Sequence, residues 1–263
     1  MIGREVFLVW IKRVLFCARL AKAYLFGQLE NEIRLLPILC DEHKASIDIG
    51  ANRGVYTYFL RKFSKNCVAF EPNPDLAGDL RAIFHKVCVN DVGLSDRNGM
   101  ACLSVPVIGD RQQAGLASIE PSATSSALTR DYSVLVRTLD DYAFKDVGFM
   151  KVDVEGHEWA VLLGAQDTLR DAKPVLLIEI EERHRPNGIV QIRAFLGDMG
   201  YQGFFFHEGI LKPIAQFRPE IHQNTDSLEE NGMSVKTSMT YLNNFIFCVE
   251  GPVLGRIHEF NCK

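Results

Sequence analysis

The chain has 263 residues, 47% of them hydrophobic, with a formal net charge of −4 and a pI near 6.0. That length and apolar content support one substantial core, and the acidic balance lacks the basic excess a phosphate-tracking surface needs, which argues against nucleic acid as a partner. Seven scattered cysteines without a C-x-x-C pair argue against a disulfide framework or a zinc site and point to reduced thiols in a cytoplasmic setting.

Residues 1–31 are predicted to form an amphipathic helical extension. The run "EVFLVWIKRVLFCARLAKAYLF" is strongly apolar, but Lys12, Arg13, Arg19 and Lys22 interrupt it, so nothing approaches the roughly 18 residues a membrane-spanning helix requires. Two readings stand: a helix packed on the domain, or peripheral docking at the anionic inner face of a membrane, motivated by basic residues beside Trp10 and Phe16.

Residues 32–263 are predicted as one α/β domain, because short apolar runs alternate with helical stretches from Ala45 onward. A first strand at "ASIDIG" leads into a helix at "VYTYFLRKFS", then a strand at "CVAFEP", a helix from Pro74 to Phe84 and a strand near "KVCVN". An insertion at about 97–140 follows, with extra strands at "GMACLSVPVIG" and "SVLVRTLDDY" around a polar loop from Ala117 to Asp131, an excursion of the kind that often covers an active site. The sheet resumes at "VGFMKVDVEG", with a helix near His157 to Leu169, the strand "PVLLIEIE", a helix ending at Gly200, and strands at "GFFFHEG" and "TYLNNFIFCVE". The expectation is a seven-stranded, mainly parallel sheet with helices on both faces.

The strongest motif is "IDIGANRGVYT", where a buried strand delivers Asp48 and a glycine-containing turn opens directly into a helix. A dinucleotide fold usually seats a pyrophosphate on such a turn through G-x-G-x-x-G; here the turn reads G-A-N-R-G. About twenty residues on, the second strand ends in Glu71, where a carboxylate can accept from both hydroxyls of a ribose. An acid in the first turn would repel a pyrophosphate but suits an amino group and a sulfonium, so the charge logic favours S-adenosylmethionine. The donor-site candidates are Asp48, Gly50, Ala51, Asn52, Gly54 and Glu71, with Asn90 or Asp91 near an adenine.

In order along the chain, "DIGANRGVYT", "FEPNP", "VNDVGLSD", "TLDDY", "FMKVDVEGHEWAVLLGA", "KPVLLIEIE" and "YLNNFIF" resemble the FkbM-type methyltransferases over roughly Glu32 to Val249, and "KVDVEGHE" is the most distinctive part. The resemblance implies a class I methyltransferase fold, S-adenosylmethionine as donor and O-methylation of a sugar, a glycan or lipopolysaccharide component, or a natural product. It carries the donor-site motif onto Asp48, Gly50, Asn52, Gly54 and Glu71, and the fourth-strand motif onto Asp153, Glu155, Gly156 and Glu158.

Methyl transfer from a sulfonium is an in-line displacement, so a site must align the acceptor, exclude water and accept a proton from the hydroxyl. Ligands of an open α/β sheet lie beyond the carboxyl ends of its strands, which makes Asp153, Glu155 and His157 the catalytic candidates and leaves open which is the base; His184 is a second candidate histidine. No metal ligand is assigned, although Mg²⁺ held by these carboxylates with Glu179 or Glu181 is an alternative that a chelator would test. Rival readings are an NAD(P)-dependent oxidoreductase, whose Tyr/Lys, Cys or hydride-site histidine pattern is not found, and a non-catalytic methyltransferase fold that binds a partner.

Overall fold

A computed structural model describes residues 2–108, 111–113, 116–120, 128–229, 235–237 and 239–262. Residues 121–127 of the predicted polar loop lie outside the described residues. The chain opens with helix α1 (Ile2–Leu25), a 3₁₀ turn (Asn31–Leu35) and the short α2 (Leu36–Leu39). The repeating unit then runs β1 (Ala45–Ile49), α3 (Val55–Phe63), β2 (Asn66–Phe70), α4 (Pro74–Ile83) and β3 (Cys88–Asn90). The insertion comprises β4 (Gly93–Leu94), β5 (Gly99–Ile108), β6 (Arg111–Gln112) and β7 (Thr129–Arg137). After it come β8 (Val147–Val152), α5 (Glu158–Leu163), α6 (Gln166–Asp171), β9 (Val175–Glu179), α7 (Gly188–Asp198), β10 (Tyr201–His207), β11 (Ile210–Pro213), α8 (Pro219–His222), β12 (Asn244–Val249) and α9 (Pro252–Asn261).

The main sheet has the order β11-β10-β12-β9-β8-β1-β2-β3. The strands β3, β2, β1, β8 and β9 are parallel, and β12 runs antiparallel between β9 and β10. This is the class I methyltransferase arrangement, distinct from the all-parallel 3-2-1-4-5-6 order of dinucleotide folds. The central strands β1, β8, β9 and β12 are buried on both faces, so they read as largely apolar runs whose alternate residues enter different layers. Leu176, Ile178, Phe245 and Phe247 pack with α5 to α7, whereas Val175, Leu177, Ile246 and Cys248 pack with α2, α3 and α9.

Three details differ from the expectation. The sheet has an eighth strand, β11, joined to β10 through Glu208 and Gly209, both at positive φ as a tight two-residue hairpin requires. The helix expected from His157 to Leu169 breaks into α5 and α6, because Gly164 crosses the Ser95 carbonyl so closely that a Cβ there would lie 1.9 Å from the oxygen. Strand β7 starts at Thr129, inside the predicted loop, because it pairs with β5 from Gly99↔Val136 through Pro106↔Thr129.

Candidate active site

The carboxyl ends of β1, β2, β8, β9 and the loop before β12 open into one cavity of about 770 Å³. Gly50, Asn52, Glu71, Asp153, Glu155 and His157 line it.

One wall is the turn after β1. The amides of Gly50 and Ala51 both donate to the Phe70 carbonyl, at 3.0 and 3.1 Å, which locks the turn against β2. Gly50 takes φ +77°, and a Cβ there would lie 1.8 Å from the Asp153 carbonyl oxygen, so the close approach of the β1 and β8 ends admits no side chain. Asn52, also at positive φ, donates its amide to Glu71 Oε2 at 2.7 Å, and the Asn73 amide donates to Oε1 at 2.9 Å. Glu71 is 5% exposed, and burial pushes its pKa up to about 7. Each of its oxygens keeps a lone pair beyond the backbone bond it accepts. The Asn52 Oδ1 atom is buried with no hydrogen-bond partner among the described residues.

Asp48, Ala51, Gly54, Asn90 and Asp91 stand outside the cavity wall. Asp48 is fully buried and accepts from the Thr57 hydroxyl; burial raises its pKa to about 6. It therefore ties β1 to α3. Gly54 caps α3, Ala51 is buried, and Asn90 accepts the Glu71 amide with its carbonyl at 2.9 Å. Asp91 is exposed and paired with Arg81 at 2.7 Å, which holds its carboxyl below the ordinary value. From that loop it is Val92, Gly93 and Leu94 that reach the cavity.

The opposite wall is rich in carboxylates. Lys151, 1% exposed on β8, places its ammonium 3.4 Å from Asp153, 3.9 Å from Glu179 and 3.2 Å from Asn244 Oδ1. Burial works against that charge, yet Asp153, Glu30 and Glu179 together hold its pKa above the usual lysine range. Glu30, from the segment after α1, accepts from the Tyr56 hydroxyl at 2.6 Å and Asn244 Nδ2 at 3.0 Å. Glu155 sits at positive φ in the turn after β8, 3.5 Å from His184 Nε2. Burial pushes Glu155 up, and the Glu155 carboxylate raises His184.

Glu181 accepts from Arg183, from the Tyr241 hydroxyl at 2.5 Å and from Asn243 at 3.3 Å. Burial opposes its charge, but Arg183 and Tyr241 hold it below the ordinary range.

Two ligand-type groups lie close together, Glu155 with Glu181 and His184, and Asp153 with Glu155 and Glu179, each set within 4.8 Å. Lys151 lies beside Asp153 and Glu179, Arg183 beside Glu181, and His184 beside Glu155.

His157 lines the cavity but has both ring nitrogens engaged, Nδ1 with Glu120 at 2.6 Å and Nε2 with the Ser95 hydroxyl at 3.0 Å. Glu158, its neighbour, accepts the Val154 and Gly156 amides at 3.3 and 2.9 Å and so holds the turn that carries Glu155; burial raises it to about 7. Sequence reasoning did not reach Glu30, Ser95, Glu120, Lys151, Tyr241 or Asn244. Of these, Lys151 left a signal as a lone cation inside the apolar run "VGFMKV", and Ser95, Tyr241 and Asn244 lie within the family-like runs "VNDVGLSD" and "YLNNFIF".

A model of the methyltransferase FkbM domain matches residues 48–202. The hexuronic acid methyltransferase AglP of Haloferax volcanii is 27% identical over 173 residues, which is 62% of this chain. The chain spans 66% of that curated relative's length. Among solved structures, the methyltransferase FkbM from Methylobacillus flagellatus is 17% identical with a TM-score of 0.48, over 79% of this chain and 44% of that one. A putative methyltransferase from Streptococcus mutans in complex with SAH is 9% identical with a TM-score of 0.46, over 83% of this chain and 96% of that one. With a family match that takes in the glycine turn, Glu71, the insertion and the carboxylate-rich turn after β8, the chain belongs to the FkbM methyltransferase family.

Proposed function

We propose that the chain is an S-adenosylmethionine-dependent O-methyltransferase acting on a hydroxyl of a sugar or glycan. The observation that carries this reading is a single cavity with Glu71 and the Gly50 turn on one wall and Asp153 and Glu155 on the other. S-adenosylmethionine, when bound, supplies an electrophilic methyl group on a sulfonium.

The residues present fit that donor. Glu71 has free lone pairs for two ribose hydroxyls, the buried Asn52 Oδ1 awaits a donor group, and the Gly50 turn leaves a cradle that a Cβ would fill. Asp153, held beside Lys151 and against the Gly50 turn, provides negative charge for a cationic ligand. Glu155 is the proposed base: burial raises its proton affinity toward the working range, and His184 can share the proton it takes from the acceptor hydroxyl. His157 acts as a positioning residue, tying the insertion to the turn after β8 through Glu120 and Ser95. Carboxylates accept hydrogen bonds from several hydroxyls at once, which suits a polyhydroxylated acceptor. The hexuronic acid relative supports a sugar acceptor in general terms.

The test is calorimetric titration with S-adenosylmethionine, S-adenosylhomocysteine and NAD, followed by transfer of a radiolabelled methyl group to a panel of sugars and glycans. Saturable binding of the first two and a labelled product that survives mild alkali, as an ether does and an ester does not, is expected. NAD binding alone, or an alkali-labile product, overturns the reading.

A further inference from the structure

We infer that α1 is a docking surface for an anionic lipid bilayer. No helix among the described residues is long and apolar enough to cross a membrane, so the contact is an interfacial one. The inner face of α1 is settled by its contacts. Phe16 packs edge-on against Phe84 at 5.2 Å, Lys12 pairs with Asp79 at 2.6 Å, and Arg13 donates to the Ala82 carbonyl at 3.1 Å. These residues follow helical spacing and fix α1 along α4.

Among the described residues nothing packs across the opposite face. Val6, Phe7, Leu8, Trp10, Val14 and Leu15 are between 45% and 63% exposed. Phe7, Trp10 and Val14 form one outward stripe at i, i+3 and i+7; Leu8, Leu15 and Lys22 run at heptad spacing along the flank beside it, and Leu15 and Arg19 border the groove between α1 and α4. A soluble surface scatters such residues singly; a continuous apolar stripe calls for an occupant.

Charge identifies the occupant. From Val6 to Gln28 the chain carries four basic residues and no acidic one, although the whole chain is net −4. Lys12 and Arg13 are turned to the domain, whereas Arg19 and Lys22 are exposed beside the apolar stripe, with no acidic partner among the described residues. An apolar stripe bordered by unpaired cations, with a tryptophan in it, matches the acyl boundary, anionic headgroups and interface of a bilayer in turn.

The experiment is flotation of the full chain with phosphatidylglycerol/phosphatidylethanolamine vesicles and with phosphatidylcholine vesicles, with the fold checked by circular dichroism. Co-flotation with the anionic vesicles is expected, with a blue shift of tryptophan emission that Trp10→Glu removes. Phe7→Glu with Val14→Glu abolishes binding, and each of Arg19→Ala and Lys22→Ala weakens it about fivefold at low salt. All of these positions are exposed, so melting temperature and donor binding stay at the parent's values. A folded protein that ignores the anionic vesicles overturns the inference, as does equal partition into neutral ones. A dimer in light scattering that Trp10→Glu dissociates also overturns it and gives the face to a second copy.

Discussion

The two walls of the cavity do different physical work. The glycine-turn wall is built from consecutive chain, β1, its turn, α3 and β2, and offers mainly backbone, one carboxylate and one unpartnered amide oxygen. The carboxylate wall gathers Glu30, Asp153, Glu155, Glu179 and Glu181 from distant segments and offsets part of their charge with Lys151, Arg183 and His184. On the proposed function, the first wall recognises by shape and fixed hydrogen bonds, and the second sets charge where a proton must move. Binding and turnover are therefore expected to separate by mutation.

Gly50→Ala is the severest test. The added Cβ meets the Asp153 carbonyl at 1.8 Å from a left-handed backbone, so stability in a urea titration falls by roughly 3 kcal/mol and donor binding is lost. Parent-like stability would mean the two walls have slack between them. Glu155→Gln comes next: turnover falls about 10²- to 10³-fold with donor Kd unchanged, whereas a parallel loss of both would merge the walls into one unit.

Glu71→Gln sharpens the first wall. Ribose hydroxyls favour the ionised carboxylate, and burial raises Glu71 to about 7, so donor affinity in the parent weakens about tenfold per pH unit below that value. The Gln variant binds more weakly at pH 8 and shows a flat profile by calorimetry. The same raised pKa has a stability signature. Its contribution without ligand is fully present below the unfolded value near 4.5 and is lost as pH rises through about 7, so the parent's melting temperature declines over that window more than the variant's. The smallest effect belongs to Glu120→Gln, which leaves His157 bonded to Ser95 and shifts acceptor KM about two- to fivefold without changing donor Kd.

The glycine-turn wall was legible in the sequence because its residues are neighbours: a buried strand, a turn and an acid at the next strand end are one continuous pattern. Even there, Asp48 reads as a ligand-facing acid, and only the Thr57 bond across the first turn of α3 shows that it faces the helix. The carboxylate wall was legible only in "KVDVEGHE". Glu30 reaches Asn244 across more than two hundred residues, and His157 meets Ser95 and Glu120 across 62 and 37, separations no local pattern encodes. The break at Gly164 depends in the same way on Ser95, and the early start of β7 on its pairing with β5. The β11 hairpin is the opposite case, since Glu208-Gly209 between two apolar runs is a local turn signal that the sequence carried.

The insertion touches the site through few handholds: Ser118 donates to the Glu155 carbonyl at 2.7 Å, Glu120 meets His157, and Leu103, Leu116, Ala117 and Ile119 close the wall. Its four strands form a sheet of their own, tied to the rest of the chain by these contacts and by the Tyr132 hydroxyl, which donates to Asp75 at 3.0 Å. On the proposed function, exchanging this module as a cassette is expected to change acceptor preference while leaving the turn after β1 as it is.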